Sequence, residues 1–108
     1  MKIVQKSWGC EIWWAHTPSY MGKTLIINPD NCTSLHYHKY KDETILVRRG
    51  TLVVCASPET HLEPILVKEG QTIYLPPGKS HRLCVGEQGA ELIEVSTSYP
   101  DDSVRVKE

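Results

Sequence analysis

Short segments with β-strand character, separated by turn residues, run through most of this chain and restrict the folds open to it. Eight segments rich in Val, Ile, Leu, Thr and Tyr are predicted as strands: 23–28, 35–38, 44–48, 51–56, 65–68, 72–75, 81–85 and 91–96. The residues between them, at 49–50, 57–60, 76–78 and 86–89 among others, are typical of turns. No segment is predicted as a helix. The pattern indicates an all-β fold, an antiparallel sandwich or barrel.

Length and charge narrow the classes of function. A chain of 108 residues has room for one hydrophobic core, so we expect a single domain over residues 1–108. Twelve Lys and Arg against thirteen Asp and Glu leave no basic stripe for nucleic acid. Apolar runs such as 45–47 are too short to cross a bilayer, and the first residues lack the apolar region of a signal peptide. We therefore expect a cytoplasmic protein that binds neither nucleic acid nor membranes.

The four cysteines are predicted to be thiols. Cys10, Cys32, Cys55 and Cys84 lie more than 20 residues apart, and no Cys-x-x-Cys pair is present. A zinc knuckle or a redox motif requires such a pair. In a cytoplasmic protein, reduced and partly buried thiols are favoured over disulfides, which are the alternative.

Three histidines and one glutamate have the spacing of a metal site. His36 and His38 are two residues apart on a predicted strand and therefore point to the same face. Glu43 follows across a short turn, and His81 follows the turn at 76–78. Imidazole nitrogens with one carboxylate suit a first-row transition ion. We predict one divalent ion per chain (Mn, Fe, Co, Ni, Cu or Zn), held by His36, His38, Glu43 and His81.

Strand alternation predicts what surrounds this ion and what covers the other side of the sheet. The residues that share a face with Glu43 or His81 are Ile45, Val47, Leu83 and Val85. Apolar neighbours of this kind strengthen the field of an ion on its ligands. The opposite faces, including Thr44 and Leu46, are also fairly apolar, which predicts a homodimer. The alternative is that a second sheet or the N-terminal segment covers those faces within one chain.

The two motifs, at 36–50 and 70–85, resemble the double signature of the cupin superfamily. That signature is Gly-x5-His-x-His-x(3,4)-Glu-x6-Gly followed by Gly-x5-Pro-x-Gly-x2-His-x3-Asn. Two positions depart from it: Asn28 lies near the first Gly, and Val85 stands where the last Asn is expected. Neither position is a metal ligand in cupins. The resemblance implies an RmlC-like jelly roll.

A closer resemblance extends from Trp8 to Arg105 and rests on five runs. They are Trp8-Gly9-Cys10-Glu11, Ser34-Leu35-His36-Tyr37-His38 with Glu43, His81-Arg82-Leu83, Ile93-Glu94-Val95-Ser96 and Asp101-Asp102-Ser103-Val104-Arg105. They are similar to runs in the C-terminal cupin domain of type II mannose-6-phosphate isomerases and in small stand-alone cupins of sugar and capsule metabolism. Those isomerases usually have Gln where this chain has His36 and Arg where it has Lys41.

The resemblance implies an aldose–ketose isomerase, whose chemistry needs three components. A metal polarises the sugar carbonyl, a base moves a proton between C1 and C2, and cations bind the phosphate. Candidates for the base are Glu94 and Tyr74. Candidates for substrate binding are Lys41, Arg82 and Arg105, although alternation points Arg82 away from His81 and a structural ion pair is an equal alternative for it.

Three functions are compatible with these residues. The preferred one is a metal-dependent isomerase of a sugar or sugar phosphate, supported by the long resemblance. A noncatalytic sugar-binding or regulatory cupin is the first alternative, because no base is evident. A metal-dependent cupin dioxygenase is the second, since three histidines and one glutamate form the shell that such enzymes use.

Overall fold

The computed structural model describes residues 1–56 and 64–106, which form nine strands and no helix. The strands are β1 (Lys2–Lys6), β2 (Gly9–His16), β3 (Tyr20–Ile27), β4 (His36–His38), β5 (Glu43–Ala56), β6 (Ile65–Val67), β7 (Thr72–Leu75), β8 (His81–Thr97) and β9 (Ser103–Arg105). Every pairing between strands is antiparallel. The predicted all-β antiparallel fold is confirmed. Within the described ranges there is no helix that could cross a membrane.

Strands β5 and β8 are long, and each belongs to both halves of a curled sheet. The first half of β5 pairs with the second half of β8, from Glu43 opposite Ser96 to Val47 opposite Leu92. The second half of β5 pairs with the first half of β8. One half of the sheet has the order β1-β2-β3-β8-β5-β7, and the other has β9-β4-β8-β5-β6.

The register between the two long strands is irregular where the sequence predicted turns. The register of β5 against β8 shifts on both sides of Gly50. Gly50 has φ +89° and Gly89 has φ +66°, values in the left-handed region that favours glycine. Such residues serve a bulge as well as a turn, and here the chain continues in the same direction. The predicted turns at 49–50 and 86–89 are therefore wrong.

The other strand predictions differ mainly at the ends of the chain. β7 has the predicted bounds, and β3, β4 and β6 differ from theirs by one to three residues. The sequence patterns gave no bounds for β1, β2 and β9. β1 is an edge strand with mostly exposed side chains, so it lacks a buried apolar face. The turn predicted at 57–60 lies outside the described residues.

One core lies between the two halves of the sheet. Its buried side chains are Leu25, Ile27, Ile45, Val47, Leu52, Val54, Val67, Leu75, Leu83, Val85, Ala90 and Leu92. The four residues predicted to point inward with Glu43 and His81 are all among them, which confirms the alternation. Trp8 and Ile73 pack against this core from its edges. The metal-site candidates therefore share the sheet's inner face with an apolar core.

The structure contradicts the prediction that all four cysteines are thiols. Cys32 and Cys84 form a disulfide across an isolated β-bridge, with their Cα atoms 4.1 Å apart. A backbone hydrogen bond from Thr33 N to Leu83 O (2.9 Å) aligns the two segments. The 52-residue separation in sequence gives no local signal of this pairing. The free thiols are Cys10 and Cys55, both partly buried as predicted.

Candidate metal centre

The sheet brings the three predicted histidines together from two strands. His36 and His38 lie on β4 and point to the same face, as their spacing predicted. His36 pairs directly with His81, the first residue of β8. One ring nitrogen of each lies within 4.8 Å of the others. These three imidazoles are arranged so that they could hold one metal ion.

Each of the three imidazoles is oriented by a hydrogen bond at Nδ1. The acceptors are Ser34 O for His36 (2.8 Å), Asp102 Oδ1 for His38 (2.8 Å) and Lys79 O for His81 (3.0 Å). Carbonyl and carboxylate oxygens can only accept, so Nδ1 carries the proton in each ring. Each Nε2 then carries a lone pair, which is the form that binds a metal ion.

Burial keeps the three imidazoles neutral at physiological pH. His81 is 2% exposed, and burial, reinforced by the neighbouring His36, lowers its pKa to about 4. Burial is also the main cause that lowers the pKa values of His36 and His38. A metal ion binds neutral imidazole and competes with protons for it, so these pKa values favour metal binding. The donor set therefore fits a transition ion.

Glu43, the predicted fourth ligand, lies beside the three imidazoles. It is the first residue of β5, and its side chain is 2% exposed. Its Oε1 lies 3.5 Å from His81 Nε2, and its Oε2 lies 3.9 Å from His38 Nε2. The same Oε2 lies 3.1 Å from Lys41 Nζ. The carboxylate therefore lies between the imidazoles and a buried ammonium group.

A buried charge cluster, defined here as Glu11, Lys23, Lys41, Glu43 and Glu94, continues from this point. Lys41 Nζ lies 2.6 Å from Glu94 Oε2, and Lys23 Nζ lies 4.0 Å from the same oxygen. Lys23 also pairs with Glu11 Oε1 at 3.2 Å. Burial lowers the pKa of Lys41, but Glu94 and Glu43 outweigh it and raise that pKa above its ordinary value. Opposite charges thus alternate through the cluster, as buried charges require.

Asp102 is a site residue that the sequence reasoning missed. It accepts hydrogen bonds from the backbone N–H groups of Tyr40 and Lys41 (2.8 Å each) in addition to His38. Burial raises the pKa of Asp102, but these hydrogen bonds outweigh it and hold that pKa below its ordinary value. Asp102 therefore fixes both the His38 ring and the loop that carries Lys41. The only sequence signal was its place in the 101–105 run.

The candidate site residues differ in their access to one cavity of about 1140 Å³. The three histidines, Glu43, Glu94, Lys41, Arg82 and Arg105 all line it. Arg105 is the register partner of His36, so the two side chains share a face of the sheet. Tyr74 is 56% exposed and pairs with Thr44 in β5, on the face opposite to Glu43. The structure therefore brings Glu94 to the imidazoles' cavity and leaves Tyr74 outside it.

Several solved structures share the fold of this protein. They include KdgF from Halomonas sp., with a TM-score of 0.79 and 18% identity, covering 94% of this chain and 92% of that one. Oxalate decarboxylase from Bacillus subtilis has a TM-score of 0.83 and 19% identity, covering 97% and 30%. A cupin-2 domain protein from Shewanella frigidimarina has a TM-score of 0.68 and 20% identity, covering 85% and 82%. At these identities the likeness concerns the fold, which is that of a cupin.

Sequence comparison assigns the chain to a particular family. The family model described as mannose-6-phosphate isomerase C-terminal matches residues 1–108, so the chain belongs to that family. Xanthan biosynthesis protein XanB of Xanthomonas campestris is 35% identical over 105 residues, which are 89% of this chain and 22% of that protein. A mannose-1-phosphate guanylyltransferase of Sinorhizobium fredii is 29% identical over 107 residues, 94% of this chain and 20% of that protein. This chain thus spans about a fifth of the length of these curated relatives.

Proposed function

We propose that this protein is a metal-dependent sugar-phosphate isomerase of the mannose-6-phosphate isomerase type. The observation that carries the proposal is that a buried carboxylate and three metal-competent imidazoles line one cavity. Glu94 and Glu43 share the ammonium group of Lys41, which links the carboxylate to the imidazoles. Membership of the family supports a sugar phosphate as the substrate and a role in carbohydrate metabolism.

The metal centre in this proposal consists of His36, His38, His81 and Glu43. The three Nε2 lone pairs and one carboxylate oxygen of Glu43 would hold one divalent transition ion per chain. Such an ion supplies Lewis-acid polarisation of the sugar carbonyl. The apolar residues that flank Glu43 and His81 on the inner face would strengthen the field of the ion on a bound ligand.

Glu94 is the proposed general base. In the open-chain sugar phosphate its carboxylate would accept the proton from C2 and return it to C1, while a proton moves from the C2 hydroxyl to the C1 oxygen, which converts the aldose to the ketose. The ammonium groups of Lys41 and Lys23 lie next to it and would stabilise negative charge on the sugar's oxygens. Arg105 and Arg82 are the proposed contacts of the phosphate group, because both line the same cavity.

The test is an anaerobic assay on mannose 6-phosphate and fructose 6-phosphate in D2O, followed by NMR, with protein loaded with Mn²⁺, Zn²⁺ or Co²⁺. We expect interconversion, with deuterium incorporated during proton transfer. Replacing Glu94 by Gln should reduce kcat by roughly 100-fold or more. Glu91→Gln is the matched control, because Glu91 lies on the same strand and pairs with exposed Arg48. No turnover by the metal-loaded unchanged protein, or full turnover by Glu94→Gln, would contradict the proposal.

A dioxygenase is the second candidate, and one observation favours it. All three nitrogen donors are imidazoles, a set that also suits redox-active iron, nickel or copper. Oxygen consumption by the iron-, nickel- or copper-loaded protein with an enol or diketone, together with no isomerisation, would support this reading. Binding of a sugar phosphate without turnover would instead support a noncatalytic sugar-binding or regulatory cupin.

We also propose that the protein is a homodimer that associates through the outer face of β2, β3, β8, β5 and β7. Exposed side chains on this face include Trp14, Leu46, Tyr74 and Val95. Thr44 pairs with both Val95 and Tyr74, so these side chains form a continuous apolar surface across three strands. Sedimentation equilibrium of the unchanged protein and of Val95→Lys tests this, since a lysine there should produce monomers.

The cytoplasmic location stays a prediction. The Cys32–Cys84 disulfide weighs against it, because such bonds persist mainly in oxidising compartments.

A further inference from the structure

Lys41 occupies a fixed position beside the candidate metal centre. It lies in the short loop between β4 and β5 and is 4% exposed. Its backbone N–H donates to Asp102 Oδ2 (2.8 Å), and the N–H of Tyr40 donates to the same oxygen. At the other end of the side chain, Nζ lies between Glu94 Oε2 (2.6 Å) and Glu43 Oε2 (3.1 Å). Both the backbone and the ammonium group of Lys41 are therefore held in place.

The two oxygens of Glu43 consequently have different surroundings. Oε1 is the oxygen nearer to His81, at 3.5 Å from Nε2. Oε2 lies closer to Lys41 Nζ than to the Nε2 of His38, at 3.1 Å against 3.9 Å. A carboxylate can bind a metal ion through one oxygen or through both. An ammonium group at Oε2 competes with the ion for that oxygen, and it also repels the ion.

We propose that Lys41 is a positioning residue that limits Glu43 to one-oxygen coordination and so keeps a coordination position free for the substrate. The inference rests on the metal centre proposed above. The sequence suggested Lys41 as a candidate for phosphate binding. The inference assigns this buried lysine a different role. Lys41 weakens metal binding, but it leaves one coordination position of the ion free for a ligand.

The test compares Mn²⁺ binding by the unchanged protein, Lys41→Met and Lys41→Arg. Free Mn²⁺, measured by EPR, gives the affinity, and solvent proton relaxation gives the number of exchanging water molecules on the bound ion. We expect Lys41→Met to bind Mn²⁺ at least about tenfold more tightly, because a nearby positive charge is removed. We expect it also to lose one exchanging water, as Glu43 binds through both oxygens. Lys41→Arg keeps the charge and should retain both wild-type properties.

Two further variants keep the test decisive. Lys41→Met leaves two buried carboxylates without their shared cation, which threatens folding. The double variant Lys41→Met/Glu94→Gln removes one charge of each sign, so its affinity for Mn²⁺ should change less, but it should still lose one exchanging water. Lys39→Met, at an exposed position in the same loop, should behave like the unchanged protein.

Unchanged affinity in Lys41→Met, or an unchanged water number in Lys41→Met or in the double variant, would overturn the role of Lys41 alone. Absence of bound Mn²⁺ in the unchanged protein would refute the metal centre itself, and this inference with it. Neither readout requires isomerase activity, so failure of the inference is distinguishable from failure of the proposed reaction.

Discussion

The orientation of three imidazole rings is the residue-scale feature on which the site depends. Sequence spacing predicted that His36, His38 and His81 would meet, because strand alternation and the two motifs are local patterns. It could not predict what holds the rings. The acceptor for His38 is Asp102, 64 residues away, and only the pairing of β4 with β9 brings it close. The contacts of Lys41 could not be predicted either, because its partner Glu94 lies on β8, far from Lys41 in the sequence.

Replacement of Asp102 by Asn should weaken metal binding while the ring of His38 remains present. Asn lacks the second carboxylate oxygen and the charge that fix the His38 tautomer and the loop at Tyr40 and Lys41. We expect the affinity for Co²⁺ to fall by about 10- to 100-fold, measured by competition with a chelator. Asp101→Asn, at the exposed neighbouring position, is the control. Equal affinities for the two variants would show that Asp102 does not support the site.

The pair of Glu11 and Lys23 should contribute stability in a pH-dependent way. Burial raises the pKa of Glu11, but Lys23 and the hydrogen bond from Trp13 outweigh it and hold that pKa below its ordinary value of 4.5. A carboxyl group with a depressed pKa stabilises the fold above its ordinary pKa, and this contribution is lost as the pH falls through the depressed value.

Glu11→Gln should therefore be less stable than the unchanged protein by about 2 kcal/mol at neutral pH. The difference should shrink steadily once the pH falls below 4.5. Denaturant unfolding over a range of acidic pH values measures the difference in free energy of unfolding between the two proteins. A difference that is independent of pH would mean that the charge of Glu11 contributes nothing.

At the scale of elements, the sequence predicted where strand character lies but not where strands continue. Gly50 and the 86–89 segment contain residue types that are typical of turns, but both lie within long strands in the structure. The local sequence cannot distinguish a reversal from a bulge, because a glycine with positive φ serves either one. The distinction is made by pairing between β5 and β8, which are far apart in sequence. β1 and β9 went unassigned because they are short and lie at sheet edges.

Substitution of Gly50 by Ala should test the bulge in β5. A Cβ there would clash with the backbone oxygen of Gly89, and the residue would keep φ near +89°. We expect a loss of about 2 to 3 kcal/mol in the free energy of unfolding, measured with urea.

Gly70→Ala is the matched control for this substitution. Gly70 also has a positive φ, of +83°, but an added Cβ there meets nothing within 4 Å. The difference between the two variants isolates the clash across β5 and β8. If they destabilise the protein equally, the close approach of Gly50 to Gly89 is not significant.

At the scale of the whole molecule, one curled sheet provides both the apolar core and the polar cavity. The sequence predicted the inner face correctly, since Ile45, Val47, Leu83 and Val85 are buried beside Glu43 and His81. It did not predict the buried charge cluster, because its members come from four strands and one loop. It also missed the disulfide, which joins the segment before β4 to β8.

The disulfide should contribute substantially to global stability. Closing a loop of 52 residues restricts the unfolded chain, which corresponds to about 4 kcal/mol in the chain-entropy model. The double variant Cys32→Ser/Cys84→Ser should lose about this amount in denaturant unfolding without reductant. Cys55→Ser, which removes a free thiol, is the control. If reductant leaves the stability of the unchanged protein unaltered, the bond does not form in solution.

The number of metal ions bound per chain, in the unchanged protein and in His38→Ala, tests whether the proposed metal centre exists. We expect one divalent ion per chain in the unchanged protein after loading with Mn²⁺, Co²⁺ or Zn²⁺ and removal of excess. We expect severe loss of metal in His38→Ala, with circular dichroism and thermal unfolding still showing a folded protein, because the core does not depend on the ion. Full stoichiometry in His38→Ala, or no bound metal in the unchanged protein, would show that His36, His38, Glu43 and His81 do not form a metal site.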